Sequence, residues 1–275
     1  MSRILMIDPE EHLLEALQAT PVLLGHEIVP AAGDVDALRR LRAESFDVVI
    51  TSPSTTVEED LVLLDEVRQI RPGARSVVLT GRASQASVLA ALSARVFAVF
   101  SRPFDAGEIA AMVSGAVASA PGHDGILILS AVPDWLAARL DCSLLTAERI
   151  LRYVAELRTE VPDADREGLL LAYREVLLGA IEHGAGRAAG KLVDVAAVRT
   201  QRSLVFYVKD PWRGFDVPRL PAGIADDGAV LAELIRSQDE SSQAEAYRLL
   251  VARTIVDEMF YNERADEVVL IKHLE

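Results

Sequence analysis

The N-terminal half of the sequence carries several polar residues where short apolar runs end. They are Asp8 with the adjoining Pro9, Ser52, Thr80 and Arg102. If the runs are strands of one parallel sheet, their carboxyl ends share an edge, which is where doubly wound domains bind ligands. Acids can bind Mg²⁺ there, while hydroxyl groups and cations can bind a phosphoryl group. These five positions therefore form the first candidate site.

The elements that would position this site are five strands alternating with five helices. Apolar runs at 4–7, 27–31, 46–51, 76–80 and 97–101 predict the strands, and amphipathic stretches at 10–24, 35–44, 57–70, 85–95 and 106–117 predict the helices. Asp34 has the residue type of a helix N-cap. This alternation is typical of a parallel sheet covered on both faces. Residues 1–118 are therefore predicted to form a flavodoxin-like, doubly wound α/β domain.

The order of elements changes after a short stretch rich in small residues, Pro and Gly. Residues 119–125 are predicted to be a linker. Beyond it, strands are predicted at 126–131, 135–140, 192–199, 203–209 and 267–272, with helices at 145–160, 164–184 and 245–259. Trp135 is expected to be a core or inter-strand aromatic residue. Residues 126–275 are predicted to form an α+β sandwich.

Charge and composition exclude several classes of function. The 275-residue chain has a formal net charge of −14, which disfavours a nucleic-acid surface. Its single cysteine, Cys142, excludes an internal disulfide and a cysteine-based zinc site. The sequence has no apolar stretch long enough to span a membrane, so a cytoplasmic protein without a membrane partner is expected.

The pattern at the strand ends resembles that of response-regulator receiver domains. In that family an acidic pair follows the first strand, a phosphoacceptor Asp ends the third, Thr or Ser ends the fourth, and Lys-Pro follows the fifth. Thr80 and Pro103 match this pattern. Pro9 replaces the acid that binds the metal directly, Ser52 stands at the phosphoacceptor position, and Arg102 replaces the Lys.

These replacements indicate a pseudo-receiver that serves as a protein-binding or dimerising module. A Ser hydroxyl cannot form an acyl phosphate, and the single remaining acid, Asp8, makes a poor Mg²⁺ site. Two alternatives stay open. One is phosphorylation of Ser52 by a separate kinase, and the other is metal binding through Asp8 and Glu10.

Residues 172–184 resemble the N-box helix of histidine-kinase-like (GHKL) ATPases, in the branch of anti-sigma factors and serine kinases. The family places a general base and a Mg²⁺-binding Asn four residues apart, which puts both on one face of the helix. Glu175 falls on the general-base position. Gly179 falls on the metal-ligand position, where it has no side chain to offer.

Two further stretches resemble nucleotide-binding motifs of the same family. Asp210 matches the acid that accepts the adenine amino group, Gly214 matches one motif glycine, and Trp212 replaces another. Later in the chain, Ala246 and Arg248 stand where glycines let backbone N–H groups approach the phosphates. Arg248 is expected to plug the site, with anion capture by its guanidinium as the alternative.

The two resemblances together imply a bacterial signal-transduction regulator. The leading hypothesis is a catalytically impaired chain that works as a scaffold or partner switch through protein contacts, including a sigma-factor pathway component or a second copy of itself. One alternative is an active ATP-dependent serine kinase or anti-sigma factor in a phosphorelay. Another is a sensor that binds adenine nucleotide without hydrolysing it. No cofactor is expected, and ATP with Mg²⁺ should bind weakly if at all.

Overall fold

A computed structural model describes residues 1–119, 124–157, 161–184, 190–210, 240–264 and 266–274 of the chain. The chain divides into two compact units, residues 1–124 and 125–275. Most of the predicted linker, residues 120–123, lies outside the described residues. Within the described ranges, no helix is both long enough and apolar enough to span a membrane.

The first unit is a five-stranded parallel sheet in the order β2-β1-β3-β4-β5. Helices connect successive strands, and the order is that of a flavodoxin-like doubly wound domain. The predicted fold class is thereby confirmed. The strands are β1 (Arg3–Ile7), β2 (Glu27–Ala31), β3 (Val48–Ile50), β4 (Arg75–Thr80) and β5 (Ala98–Ser101); the helices are α1 (Glu11–Ala19), α2 (Asp34–Ala43), α3 (Val57–Ile70), α4 (Gln85–Ser93) and α5 (Ala106–Ala118).

Several boundaries in this unit differ from the prediction by a few residues, and two of them have a clear local reason. The helix predicted over 10–24 ends at Ala19, because Pro21 opens a separate 3-10 turn, Pro21–Leu23. Asp34 is the first residue of α2 and not its N-cap, which is Gly33 with a φ of 138°. By contrast α3 begins as its sequence indicates, with a capping box between Thr56 and Glu59.

The second unit is a six-stranded antiparallel sheet in the order β10-β11-β9-β8-β7-β6, with helices packed on one face. This layering confirms the predicted α+β sandwich. The strands are β6 (Ile126–Val132), β7 (Trp135–Asp141), β8 (Leu192–Arg199), β9 (Ser203–Lys209), β10 (Glu258–Tyr261) and β11 (Glu267–His273); the helices are α6 (Leu144–Leu157), α7 (Asp163–Gly179) and α8 (Glu240–Ile255).

Two of the predicted helices end earlier than expected. The segment predicted over 164–184 is α-helical only to Gly179, and a π-helical turn, Ala180–Gly184, follows. The helix predicted over 245–259 ends at Ile255, and the strand β10 begins at Glu258. Met259 pairs with Leu270 of β11. The apolar and aromatic residues of this segment favour a strand once a partner strand is available.

The helix that carries the N-box-like segment is fixed by aromatic packing and by a close approach to α8. Tyr173 on α7 stacks on Phe206 of β9, with ring centroids 4.6 Å apart and an interplanar angle of 25°. A Cβ at Gly168 would lie 3.2 Å from Cγ2 of Ile255, so the glycine permits the close contact between α7 and α8. This contact positions the candidate site between the two helices.

Candidate functional site

Asp8 and Ser52 meet at the carboxyl edge of the parallel sheet, where adjacent strands β1 and β3 end. Asp8 has a φ of 42°, in the left-handed region that aspartate tolerates better than most residues. The Ser52 hydroxyl donates to Asp8 Oδ2 over 3.3 Å and accepts a hydrogen bond from the Ser54 N–H over 3.1 Å. Ser52 is only 4% exposed. The hydroxyl at the phosphoacceptor position is therefore buried and bonded within the protein.

Thr80 and Arg102 end the neighbouring strands and have other partners. Thr80 is buried, and its hydroxyl donates to the backbone carbonyl of Thr55 over 3.0 Å. Arg102 pairs with Glu10, whose carboxyl pKa it lowers, and lies over the Phe104 ring, 4.8 Å from its centroid. The hydroxyl and the cation that a receiver would turn towards a phosphoryl group are thus engaged in other contacts.

A buried acid that the sequence reasoning missed anchors the loop after β3. Asp60 on α3 is 2% exposed, and its carboxylate accepts hydrogen bonds from the hydroxyls of Thr51 and Thr55 over 2.6 and 2.7 Å. Burial raises the pKa of Asp60 to about 6. The sequence did hold a signal, because Asp60 lies at helical spacing between the buried residues Val57 and Leu64.

We expect Asp60 to make the N-terminal unit less stable as pH rises from about 4 to about 7. Folding raises the pKa of the Asp60 carboxyl from 3.8 to about 6. The stability that this shift contributes is fully present below about pH 4 and is lost as pH rises through about 6. The loss is on the order of 3 kcal/mol. Asp60→Asn should flatten this slope in urea unfolding followed by amide signals of the unit.

The matched control for this experiment is Asp65→Asn, which removes an exposed acid from the same helix. The side chain of Asp65 is 71% exposed and pairs with Arg68, so the pH slope should survive its loss. A slope that is the same in Asp60→Asn as in the unmodified protein would contradict the prediction.

In the second unit, Arg248 on α8 bridges two acids of the N-box-like segment, Glu175 and Glu182. Its Nη1 donates to Glu175 Oε2 over 2.9 Å, and its Nη2 donates to Glu182 Oε2 over 2.8 Å. The side chains of Arg248, Glu175 and Glu182 are 22%, 14% and 20% exposed. Nη1 of Arg174 lies 3.5 Å from Oε1, the other carboxylate oxygen of Glu175. Both carboxylate oxygens of Glu175 therefore face guanidinium groups.

Gly179 is the last residue of α7, and the π-helical turn starts immediately after it. Turns of this kind occur as single insertions in helices, frequently at functional sites. Glu182 lies within the turn and reaches Arg248, as described above. Sequence reasoning did not select Glu182 as a site residue, although it stands seven positions after Glu175, close to two helical turns.

The remaining predicted residues of this site are only partly described. Asp210 follows β9 directly, is 2% exposed, and donates its backbone N–H to the carbonyl of Asp266 over 2.8 Å. Ala246 lies within α8, and its side chain is outside the described part of the structure. Trp212 and Gly214 lie outside the described residues altogether. The structure therefore brings Glu175 and Arg248 together and places Asp210 at a buried strand end.

Residues 136–272 match the family described as the histidine kinase-like ATPase domain. The C-terminal unit belongs to this family. The match confirms the resemblance seen in residues 172–184, and it covers every helix and strand described for the unit except β6 and the ends of β7 and β11. Membership of the anti-sigma branch stays a prediction.

The chain is also similar to transcriptional regulatory proteins of Escherichia coli. It is 27% identical over 124 residues to GlrR of strain K12, and the same figures hold for QseF of strain O157:H7. The aligned segment is 45% of this chain and 28% of each relative. The chain thus spans less than a third of the length of these curated relatives.

Solved structures that resemble part of this chain include response-regulator receiver domains. One is the CheY-like receiver domain protein of Methanospirillum hungatei JF-1, with 22% identity, a TM-score of 0.38, and coverage of 42% of this chain and 94% of that one. Another is a response regulator of Thermotoga maritima, with 20% identity, a TM-score of 0.38, and coverage of 43% and 99%. The assignment of the first unit as receiver-like is consistent with its sheet order and its strand-end motif. The chain thus combines a unit with a doubly wound fold and a unit that matches the histidine kinase-like ATPase domain.

Proposed function

We propose that this chain is a signal-transduction regulator that acts through protein–protein contacts, as a scaffold or partner switch, and does not turn over ATP. The observation that carries the proposal is the bridge from Arg248 to Glu175 and Glu182. The Arg248 guanidinium is ion-paired with Glu175, the acid at the general-base position, and Gly179 has no side chain to bind a metal ion. Since the metal neutralises the phosphates during phosphoryl transfer, losing its ligand removes a large electrostatic contribution to catalysis.

The N-terminal unit fits the same proposal as a pseudo-receiver. Ser52 replaces the phosphoacceptor and is bonded to Asp8, while Arg102 is paired with Glu10. A receiver-like domain without a phosphoacceptor acid can still bind other proteins through its surface. The partners proposed are signalling proteins, including a sigma-factor pathway component or a second copy of the chain, in the cytoplasm.

A second candidate function is adenine-nucleotide sensing without hydrolysis. It is favoured by Asp210, which keeps the family's adenine-binding acid at a buried strand end. An acid there could accept a hydrogen bond from the adenine amino group without any metal ion. The third hypothesis, an active serine kinase or anti-sigma factor, has less support because it requires both a free general base and a metal ligand.

Nucleotide titration by calorimetry separates the three functions. We expect ATP with Mg²⁺ to bind the unmodified protein weakly or not at all, with no measurable phosphate release. A sensor would bind ADP and ATP with similar affinity, whether or not Mg²⁺ is present. Tight, Mg²⁺-dependent ATP binding, or phosphate release that Glu175→Ala abolishes, would contradict the scaffold proposal and favour the active kinase.

A further inference from the structure

The antiparallel sheet of the second unit has one face on which none of the helices described for that unit packs. Its side chains form rows across the strands. We call this the open face. Cross-strand pairing aligns two apolar rows along it. The first consists of Val132, Trp135, Val198, Val205 and Ile271 and ends at Glu258 on β10, and the second begins at Ser130 on β6 and continues through Ala137, Ala196, Tyr207, Val269 and Phe260.

Large side chains on the open face are exposed to solvent. Trp135 is 54% exposed, Val132 50% and Phe260 51%, and Leu127 and Leu129 on the edge strand β6 are more exposed still. Trp135 is an inter-strand aromatic, as expected, but it is not part of the core. A contiguous apolar patch of this kind is rare on monomeric proteins and marks an interaction surface.

A third row on the open face is charged, and its signs alternate. It runs Arg139, Asp194, Lys209, Glu267 across β7, β8, β9 and β11. Neighbours within it are ion-paired, with 2.6 Å between Arg139 Nε and Asp194 Oδ1 and 2.7 Å between Lys209 Nζ and Glu267 Oε1. The four charges of the row therefore cancel. Their signs alternate, and the centre of the row lies between β8 and β9. That line is also the middle of the six-stranded sheet.

We propose that the open face binds the open face of a second copy of this chain, about a two-fold axis that runs along the strands between β8 and β9. This rotation reverses the order of strands but keeps each row at its own level. Arg139 then faces Glu267 of the second copy, and Asp194 faces its Lys209, so every charge in the row opposes an opposite charge. Each apolar row opposes itself, except that Glu258 at one end of the first row faces Val132 at the other end in the second copy. A two-fold axis across the strands would instead set the charged row against an apolar one.

The size of the face is sufficient for a stable dimer. Five strands of seven or eight residues and the four-residue β10, at about 4.8 Å spacing and about 3.3 Å rise, give roughly 630 Å² per face. Two such faces bury roughly 1,300 Å², within the range of about 1,200–2,000 Å² found for specific interfaces. Aligned packing of two sheets about 10 Å apart is the ordinary arrangement of a β-sandwich.

The first test places a charge in the middle of the open face. We expect the unmodified chain to sediment as a dimer at micromolar concentration, and Val205→Glu and Trp135→Glu to weaken dimerisation by about a hundredfold. Leu171→Glu is the matched control, because Leu171 is a 43% exposed apolar residue on α7, outside the open face. A monomeric unmodified chain, or a dimer that survives both open-face substitutions, would overturn the inference.

The second test checks the symmetry itself. Asp194→Lys and Lys209→Asp should each prevent dimerisation, because each sets like charges against one another across the two-fold axis. An equimolar mixture of the two variants should form a heterodimer. In it the lysine introduced into one variant faces the aspartate introduced into the other, and the retained Lys209 faces the retained Asp194. Circular dichroism of each variant checks that both are folded. Folded variants that fail to associate in the mixture would rule out this axis.

The inference rests on the proposed function in that it names one partner for a protein that acts through contacts. The two can nevertheless fail separately. A monomer that does not hydrolyse ATP would overturn the dimer and leave the scaffold proposal standing. A dimer that hydrolyses ATP with Mg²⁺ would support the interface and overturn the scaffold proposal.

Discussion

ATP with Mg²⁺ is expected to bind the triple variant Gly179→Asn, Ala246→Gly, Arg248→Gly at least about tenfold more tightly than the unmodified protein. The Asn restores an oxygen ligand for the metal. Arg248→Gly removes the bridging guanidinium, and together with Ala246→Gly it restores the residue types of the family's motif, in which glycines let backbone N–H groups approach the phosphates. Removing Arg248 also releases Oε2 of Glu175, the acid at the general-base position, while Arg174 stays near its other oxygen. Calorimetric titration with ATP and Mg²⁺ measures the gain directly.

The single variants separate the parts of this prediction. Gly179→Asn alone should gain little, because Arg248 still bridges Glu175 and Glu182. Arg248→Gly alone should lower the free energy of unfolding by about 2 kcal/mol, since two mostly buried carboxylates lose their cation, beyond the helix cost of glycine, which is about 1 kcal/mol. Arg253→Gly, on the same helix, gives that helix cost together with the loss of one exposed hydrogen bond to the Asp257 carbonyl. Full recovery of ATP binding by Gly179→Asn alone would refute the plugging role of Arg248.

Beryllofluoride with Mg²⁺ is expected to leave the amide resonances around Ser52 and Thr80 unchanged. The reagent mimics a phosphoryl group on a carboxylate, and the position holds a hydroxyl that is bonded to Asp8. Pro9 removes the second acid that the metal requires. Heteronuclear NMR titration of the full chain provides the measurement, and a saturable shift in the unmodified protein would show that the site is functional.

Restoring the acids tests whether their loss is what prevents the N-terminal unit from binding a phosphoryl group. Pro9→Asp with Ser52→Asp should give a saturable response to beryllofluoride. Adding Arg102→Lys should strengthen it, because a planar guanidinium and a compact ammonium place phosphoryl oxygens differently. Ser54→Asp is the matched control, since it adds one acid beside the site without occupying the phosphoacceptor position. Equal responses in the control and in the restored variant would mean that added charge alone explains the binding.

Much of the architecture follows from local sequence. The alternation of apolar runs and amphipathic stretches predicted a parallel sheet, and adjacent strand ends brought Asp8 and Ser52 together as expected. The N-box-like helix was likewise evident from residues 172–184, and the family match confirms it. These features depend on periodicity and on motifs, which are properties of short segments.

Other features were decided only by tertiary structure. The sequence could not show that Met259 lies in a strand, because its partner Leu270 is supplied by β11. It allowed Arg248 to plug the site, but the bridge joins residues 73 and 66 positions apart across the contact between α7 and α8. The rows of the open face require the register of six strands, in which one residue of slippage would turn every side chain to the other face. Long-range packing and strand register set these contacts, and no short segment of the chain encodes them.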